Sequence, residues 1–106
     1  MSEERELSSN LQALSSTERE RHQELSKTVR EARAKMQELQ DGYEFRLQSE
    51  MISLPDLAEW ISATRRCCPF LEFEVDFPRG DGAIAWRLRL RGTEGVKPVI
   101  RSLLSF

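Results

Sequence analysis

Two strictly alternating segments between residues 70 and 91 constrain the fold of this chain more than any other feature. The first, FLEFEVDF (70–77), places apolar side chains at every second position from Leu71 to Phe77, with acidic ones between them. The second, AIAWRLRLR (83–91), places larger apolar side chains at every second position from Ile84 to Leu90, with Arg87, Arg89 and Arg91 on the other face. A repeat of two residues is typical of a β-strand with one buried and one exposed face. The two segments therefore predict an antiparallel hairpin.

The connection between these strands predicts how they pair. The loop RGDG (79–82) contains two glycines, which suit a hairpin turn, and we prefer that role to an adhesive one for its RGD tripeptide. The resulting register places Phe77 opposite Ile84, Val75 opposite Trp86, Phe73 opposite Leu88, Glu74 opposite Arg87 and Glu72 opposite Arg89. A slip by one residue would bring acidic side chains against buried apolar ones, so we expect a well specified register.

Local signals predict the remaining elements of the second half. The segment YEFRLQ (43–48) alternates and predicts a half-buried strand. In SLPD, Ser53 and Asp56 form a capping box that begins a helix, and Pro69 ends that helix. A last helix is expected after a cap at Thr93. From residue 43 the predicted order is strand, helix, strand, strand, helix.

The N-terminal part has a different composition, because no Phe, Trp, Tyr or Pro precedes Gly42. Nothing there interrupts a helix. The helix is predicted to begin at a capping box, formed by Ser15 and Glu18 or by Thr17 and Glu20, and to end at Gly42. Its apolar residues recur at steps of four and three, as along a coiled-coil seam: Leu25, Val29, Ala32, Met36, Leu39 and Tyr43. This seam packs either on the rest of its own chain or against a second copy.

Together these elements predict an α+β fold. A long N-terminal helix, in an extension spanning residues 1–42, is followed by a β-α-β-β-α domain spanning residues 43–106. The sheet of this domain has three strands, is rich in antiparallel pairs and carries its helices on one face, as in a ferredoxin-like fold that lacks its last strand. The helical crossover is expected to be right-handed and to leave the first two strands of the domain parallel.

The balance of charged and apolar residues limits the partners. Sixteen basic and eighteen acidic residues give a formal net charge of −2, and because both kinds are interspersed they leave little field to attract nucleic acid or an anionic membrane. No apolar run approaches the length of a membrane span, and the start is acidic rather than signal-like. We expect a cytoplasmic protein that associates with itself through the N-terminal helix or a sheet edge, without nucleic-acid or membrane partners.

Cys67 and Cys68 are the candidate chemical site of the chain. Helical spacing from Leu57 directs Cys68 into the core and leaves Cys67 at the boundary of the helix, beside Trp60. The adjacent arginines favour a thiolate, whereas the C-terminal end of the helix opposes it. Neighbouring cysteines can close only a strained ring, so we expect free thiols.

Three interpretations of the cysteine pair remain open: core packing, a thiol site for a soft metal ion or thiophilic ligand, and redox catalysis. Two thiolates suit a soft metal, but a closed zinc site needs more ligands than these two. The chain has no C-x-x-C spacing, and its lone histidine, His22, is interpreted as a surface residue. An enzyme is therefore the least favoured class. We predict no catalytic residues and no organic cofactor, and keep Cys67 and Cys68 as candidate ligands of a soft metal ion.

Three segments, DGYEFRL (41–47), LAEWISATRRCCPFLEFEVDF (57–77) and EGVKPVIRSLL (94–104), resemble a family of small uncharacterised bacterial proteins with a Cys-Cys-(Pro/Ala)-Phe motif at a helix end. The most specific element is Cys67-Cys68-Pro69-Phe70. The resemblance implies a domain that begins near Asp41 and implies no catalytic residue, and the family's association with heavy-metal resistance favours the thiol-site interpretation. We predict a small binding or interaction module that can form a homodimer.

Overall fold

Three α-helices pack on a four-stranded antiparallel sheet in a computed structural model, which describes residues 11–77, 79 and 84–106. The α+β class is therefore confirmed. After a 3-10 turn at Leu11–Ala13, the elements are α1 (Ser16–Ala32), β1 (Arg33–Leu39), β2 (Gly42–Gln48), α2 (Leu54–Cys67), β3 (Glu72–Asp76), β4 (Ile84–Arg91) and α3 (Val96–Leu104). The strand order in the sheet is β1-β2-β4-β3.

The N-terminal helix is shorter than predicted. It begins at the expected capping box, in which the Glu18 amide donates to Ser15 Oγ at 3.1 Å and the Ser15 amide donates to the Glu18 carboxylate at 2.8 Å. It ends at Ala32, because Arg33 adopts an extended conformation with φ −70° and ψ 117°. Residues 33–39 then pair with β2 as a strand. The predicted continuation of the helix to Gly42 is wrong, and the sheet has four strands rather than three.

Gly42 has a different role from the helix cap that its position suggested. It lies at the start of β2, opposite Leu39, so that Gln40 and Asp41 form the turn of a hairpin. A Cβ atom at Gly42 would collide with the backbone carbonyl oxygen of Leu90 on β4. Glycine therefore allows β2 and β4 to approach closely at this point.

Strands β2 and β3 both pair with β4 in the antiparallel sense, so they run parallel to each other on either side of it. This is the relationship predicted for the first two strands of the β-α-β-β-α unit. Strand β1 adds a further position at the edge of the sheet, beside β2.

Strands β3 and β4 pair two residues away from the predicted register. The observed partners are Phe73 with Leu90, Val75 with Leu88, Glu72 with Arg91, Glu74 with Arg89 and Asp76 with Arg87. A shift by two residues keeps every side chain on its predicted face, so the alternating pattern excludes odd shifts but does not distinguish between even ones. The predicted turn at residues 79–82 lies largely outside the described residues.

The core lies between the three helices and the apolar face of the sheet. Its largest fully buried side chains include Trp60 from α2, Phe45 from β2 and Leu88 from β4. The helical part of the predicted seam, Leu25, Val29 and Ala32, is buried in this core. For these three residues the interpretation that the seam packs on its own chain is confirmed.

Local capping signals place the second helix correctly and the last one less well. Ser53 Oγ accepts a hydrogen bond from the Asp56 amide at 3.2 Å, with Pro55 in the first turn of α2. Helix α3 begins at Val96 after Gly95, which has a φ of 94°, and no side chain caps it, so the predicted cap at Thr93 is wrong.

In the part of the chain that is described, none of the helices has both the length and the apolar character that crossing a bilayer requires.

Candidate functional site

The two cysteines lie at the end of α2, and both are completely buried, with 0% of each residue exposed. Their Sγ atoms are 3.9 Å apart, and neither cysteine forms a disulfide. The Cys67 thiol donates to the backbone carbonyl of Thr64 at 3.6 Å. The prediction that Cys67 lies at an accessible boundary is wrong, because Cys67 belongs to the buried core cluster together with Cys68.

The chemistry open to these thiols is limited by their surroundings. Contact with the Cys68 thiol, followed by burial, raises the pKa of Cys67. A neutral thiol is neither a strong nucleophile nor a good metal ligand. Within the described residues, no group of three or more His, Cys, Asp or Glu side chains could hold a metal ion. The geometry is that of core packing, and the soft-metal site at Cys67 and Cys68 stays a prediction.

His22 is buried between α1 and α2, with only 5% of the residue exposed, so its interpretation as a surface residue is wrong. Its Nε2 atom lies 2.9 Å from Oγ1 of Thr64. That hydroxyl donates its single hydrogen to the backbone carbonyl of Trp60 at 2.7 Å, so His22 Nε2 carries the donated proton. Burial lowers the pKa of His22. Its helical spacing to Leu25 and Val29 was the signal that could have placed it inside.

Trp60 extends this buried polar contact to a second position on α1. Its indole Nε1–H donates to Ser26 Oγ at 2.9 Å, and its ring stacks parallel to His22 with centroids 6.2 Å apart. His22, Ser26, Trp60 and Thr64 therefore form a buried polar seam between α1 and α2. Buried polar groups that are hydrogen-bonded in this way fix the relative position of the elements that carry them.

Ion pairs border the polar seam on its solvent side. Arg21 contacts Glu59 at 3.0 Å and Asp56 at 3.3 Å, and Arg66 contacts Glu18 at 2.8 Å. The hydrogen bond from Arg66 is the largest reason that the pKa of Glu18 falls to about 2. Each exposed pair adds little to stability. Together they set acids of one helix against bases of the other and favour a single alignment of α1 with α2.

The face of the sheet opposite the helices carries interleaved charges. The buried Glu44 on β2 accepts hydrogen bonds from Arg89 at 2.8 Å and from Arg46 at 3.3 Å. Asp76 binds Arg87 through both carboxylate oxygens, at 2.9 and 3.0 Å. These arginines and carboxylates satisfy each other, so this face presents alternating charge rather than a field of one sign.

Strand β1 forms one edge of the sheet, and its residues 34–38 are all exposed. Met36 lies opposite Phe45, on the side of the sheet that the helices cover, yet 45% of it is exposed. Beside it, Phe106 packs edge-on against Phe45 with centroids 5.8 Å apart, and 36% of Phe106 is exposed. The Arg33 guanidinium lies 5.2 Å from the centre of the Phe106 ring. The helix side of β1 is therefore an uncovered apolar border.

Strand β3, at the opposite edge of the sheet, is less available for pairing with another strand. Strand β3 is five residues long, against seven for β1. Its Phe73 and Val75 are partly buried against the core, and Glu74 and Asp76 are held by arginines of β4. Of the two edge strands, β1 is therefore the longer and the more exposed one.

Two clefts of the described structure are lined by basic side chains. An open cleft of about 970 Å³ lies beside the β1–β2 turn and the start of α3. Two of the cations that line it already have carboxylate partners, since Arg91 contacts Asp41 at 3.2 Å and Lys97 contacts Glu38 at 2.7 Å. A smaller cleft of about 340 Å³ between α1 and α3 is lined by two arginines and by no carboxylate among the described residues.

Relatives give no guide to the role of these features. Comparisons with protein-family models, with curated proteins and with solved structures find no significant match. The resemblance based on Cys67-Cys68-Pro69-Phe70 therefore stays a prediction, and the role of the chain is inferred from its own geometry.

Proposed function

We propose that this protein is a small interaction module that forms a homodimer by continuing its sheet through β1. The observation that carries the proposal is the exposed run of residues 34–38 at the edge of the sheet. An edge strand presents backbone N–H and C=O groups that can pair with another strand. A second copy of β1 would satisfy them and give a continuous eight-stranded sheet in the dimer.

The charges along β1 select one register for such a pairing. In the proposed dimer a twofold axis normal to the sheet relates the two β1 strands and keeps the helices of both copies on the same face. One residue of β1 must then lie directly opposite the same residue of the second copy. Pairing centred on Lys35 or on Glu38 would place like charges directly opposite each other, which is unfavourable. Pairing centred on Met36 places Ala34 opposite Glu38 and Lys35 opposite Gln37. Pairing centred on Gln37 would be shorter, so the Met36 register is preferred.

Side-chain packing supports the same register. The exposed Met36 would pack against Met36 of the second copy on the helix side, next to Phe106. Removing apolar surface from water at this point contributes about 25 cal/mol for each Å². The bulge between Arg33 and Lys35 and the charge of Lys35 discourage other pairings of this edge. The edge is thus selective for a partner that matches it.

Self-association through the N-terminal helix, the other mode that the sequence predicts, has less support. Leu25, Val29 and Ala32 are already buried against the rest of the chain. No apolar seam of the length that a coiled coil needs therefore remains on α1 for a second helix. The sheet edge is the mode that we propose.

Sedimentation equilibrium of the protein and of two methionine variants tests this proposal. Met36→Lys would place two ammonium groups against each other at the dimer axis, and we expect a monomer. Met51→Lys is the matched control, because Met51 has the same 45% exposure but lies outside β1. We expect it to dimerise like the unchanged protein. A monomer at all concentrations for the unchanged protein would contradict the proposal, as would equal weakening by both variants.

Disulfide trapping tests the register. In the Met36-centred pairing the two copies of residue 36 lie directly opposite each other, within the Cα separation of about 4.4–6.8 Å that a disulfide needs. Met36→Cys should therefore give a covalent dimer under mild oxidation. Gln37→Cys places its thiols on a diagonal, at about 7–8 Å, and should give much less. The native cysteines are buried and do not interfere. Preferential trapping by Gln37→Cys would indicate a different register.

The alternative function is a soft-metal or thiophilic-ligand site at Cys67 and Cys68. Its support is the 3.9 Å separation of two reduced sulfur atoms, which suits capture of one thiophilic ion. Burial of both residues opposes it. Titration with Cd²⁺, followed by thiolate-to-metal charge-transfer absorbance, distinguishes the two functions. Absorbance that saturates with the native protein and is absent from the Cys67→Ala, Cys68→Ala double variant would favour the thiol site.

A further inference from the structure

We propose that the cleft between α1 and α3 binds the phosphate group of a small phosphorylated molecule, with Arg30 as its main anchor. The cleft has a volume of about 340 Å³, within the range of small-ligand sites. The inference rests on Ser26 and Arg30, which line the cleft from α1. The inference does not depend on the proposed dimer.

The charge of the cleft is the first argument. Among the described residues that line it, Arg19 and Arg30 are charged and none is acidic. Other arginines of the described chain contact a carboxylate, as Arg21 and Arg66 do in the adjacent α1–α2 groove. The partly buried side chain of Arg30 forms no hydrogen bond or ion pair within the described residues. A guanidinium in this position is suited to bind an oxyanion.

The second argument is an unused proton on Ser26. This residue is only 6% exposed, and its Oγ atom accepts the indole hydrogen of Trp60 at 2.9 Å. A hydroxyl also donates one hydrogen, and within the described part of the chain no acceptor receives it. Ser26 lies four residues before Arg30, one turn along the same face of α1, so both donors can reach one group in the cleft.

The geometry also indicates which arginine would hold the phosphate. Arg19 and Arg30 are separated by about 16 Å along α1, and the Arg19 side chain already donates to the backbone carbonyl of Leu14 at 3.1 Å. Arg30, with Ser26, is therefore the anchor of the phosphate. The last turn of α3 opposes an anion through its carbonyl groups, but this partial charge is about half of the full charge of Arg30.

The two tryptophans of the chain provide a built-in test. The indole N–H of Trp60 bonds Ser26 in the cleft wall, whereas that of Trp86 bonds the carbonyl of Ile52 elsewhere. In ¹H–¹⁵N spectra at constant ionic strength, glucose 6-phosphate should shift the Trp60 indole signal saturably and leave that of Trp86 in place. Inorganic phosphate should act in the same way but more weakly, and glucose should have no effect.

Charge-neutral variants show whether Arg30 is the anchor. Arg30→Gln should weaken binding of glucose 6-phosphate by at least about tenfold, since it removes a charge-assisted hydrogen bond. Arg65→Gln, an exposed arginine on α2, is the matched control for net charge and should bind normally. The inference is overturned if the Trp60 signal does not shift saturably, if glucose shifts it equally, or if both variants bind alike.

Discussion

The imidazole of His22 donates a hydrogen bond to the hydroxyl of Thr64 across the buried contact between α1 and α2, over 2.9 Å. The same hydroxyl donates to the carbonyl of Trp60, one turn earlier on α2. Thr64 therefore joins the two helices and has no unused hydrogen. The alignment of these helices depends on a polar contact inside an otherwise apolar core.

Removing this hydroxyl should destabilise the protein. Thr64→Val keeps the shape of the side chain but leaves the Nε2–H of His22 without an acceptor in a buried position. We expect a loss of about 1–3 kcal/mol in the free energy of unfolding, measured by urea denaturation. Ser62→Ala, at an exposed position of the same helix, is the control and should change stability by less than about 0.5 kcal/mol. Equal effects of the two variants would contradict the role of Thr64.

Protonation of His22 should make stability depend on pH. Burial lowers the pKa of His22 from its ordinary value of 6.5, so the unfolded chain binds this proton more readily than the folded one. Stability is therefore complete above pH 6.5 and falls as the pH decreases below that value, until the lower pKa of the folded form is reached. The neighbouring Glu18, whose pKa falls from 4.5 to about 2 in the folded protein, changes stability mainly below pH 4.5.

Urea denaturation between pH 7 and pH 5 measures this effect. His22→Gln keeps a hydrogen-bond donor for Thr64 but does not titrate, so its stability should change less over this range than that of the unchanged protein. The same dependence in both proteins would show that another group is responsible.

The cysteines should be unreactive in the native protein. Both are fully buried, and the pKa of Cys67 is raised by its contact with Cys68 and by burial. A chromogenic thiol reagent should label them only as fast as the protein opens, and rapidly in urea. Ser62→Cys, which puts a thiol at an exposed position of α2, should react at once and serves as the control. Prompt labelling of the unchanged native protein would support an accessible thiol site.

Glu44 should contribute more to stability than the other acidic residues of the charged face. It is buried between Arg46 and Arg89, whereas Glu72 on the same face is exposed. Glu44→Ala removes the buried carboxylate that both guanidinium groups contact and should cost about 1–3 kcal/mol of unfolding free energy. Glu72→Ala should cost less than about 0.5 kcal/mol in the same thermal or urea assay. A cost for Glu72→Ala as large as that for Glu44→Ala would contradict this view.

Local signals in the sequence predicted much of the second half of the fold. Alternation identified three of the strands and the face that each residue occupies, because the pleat of a strand has a period of two. Ser53 and Pro69 marked the start and end of α2, because capping and the lack of an amide hydrogen act within a few residues. Alternation also predicted which faces of β3 and β4 lie together. It did not predict their register, because a shift by two residues keeps every side chain on the same face.

Tertiary contacts decided the first half and the candidate sites. Residues 33–39 contain Ala34, Lys35 and Met36, which favour helices in isolation, yet pairing with β2 makes them an edge strand. The helix propensity of a segment does not reflect pairing with a strand that follows it after a turn.

Burial of the candidate site residues depended on the same kind of contact. Packing of α1 on α2 buries His22, and Cys67 lies in the core cluster, although local sequence had placed both at or near the surface. The sequence by itself determined the face of the sheet on which each residue of the alternating strands lies. Only the tertiary structure decided which surface was left uncovered, because that depends on contacts between residues far apart in the chain.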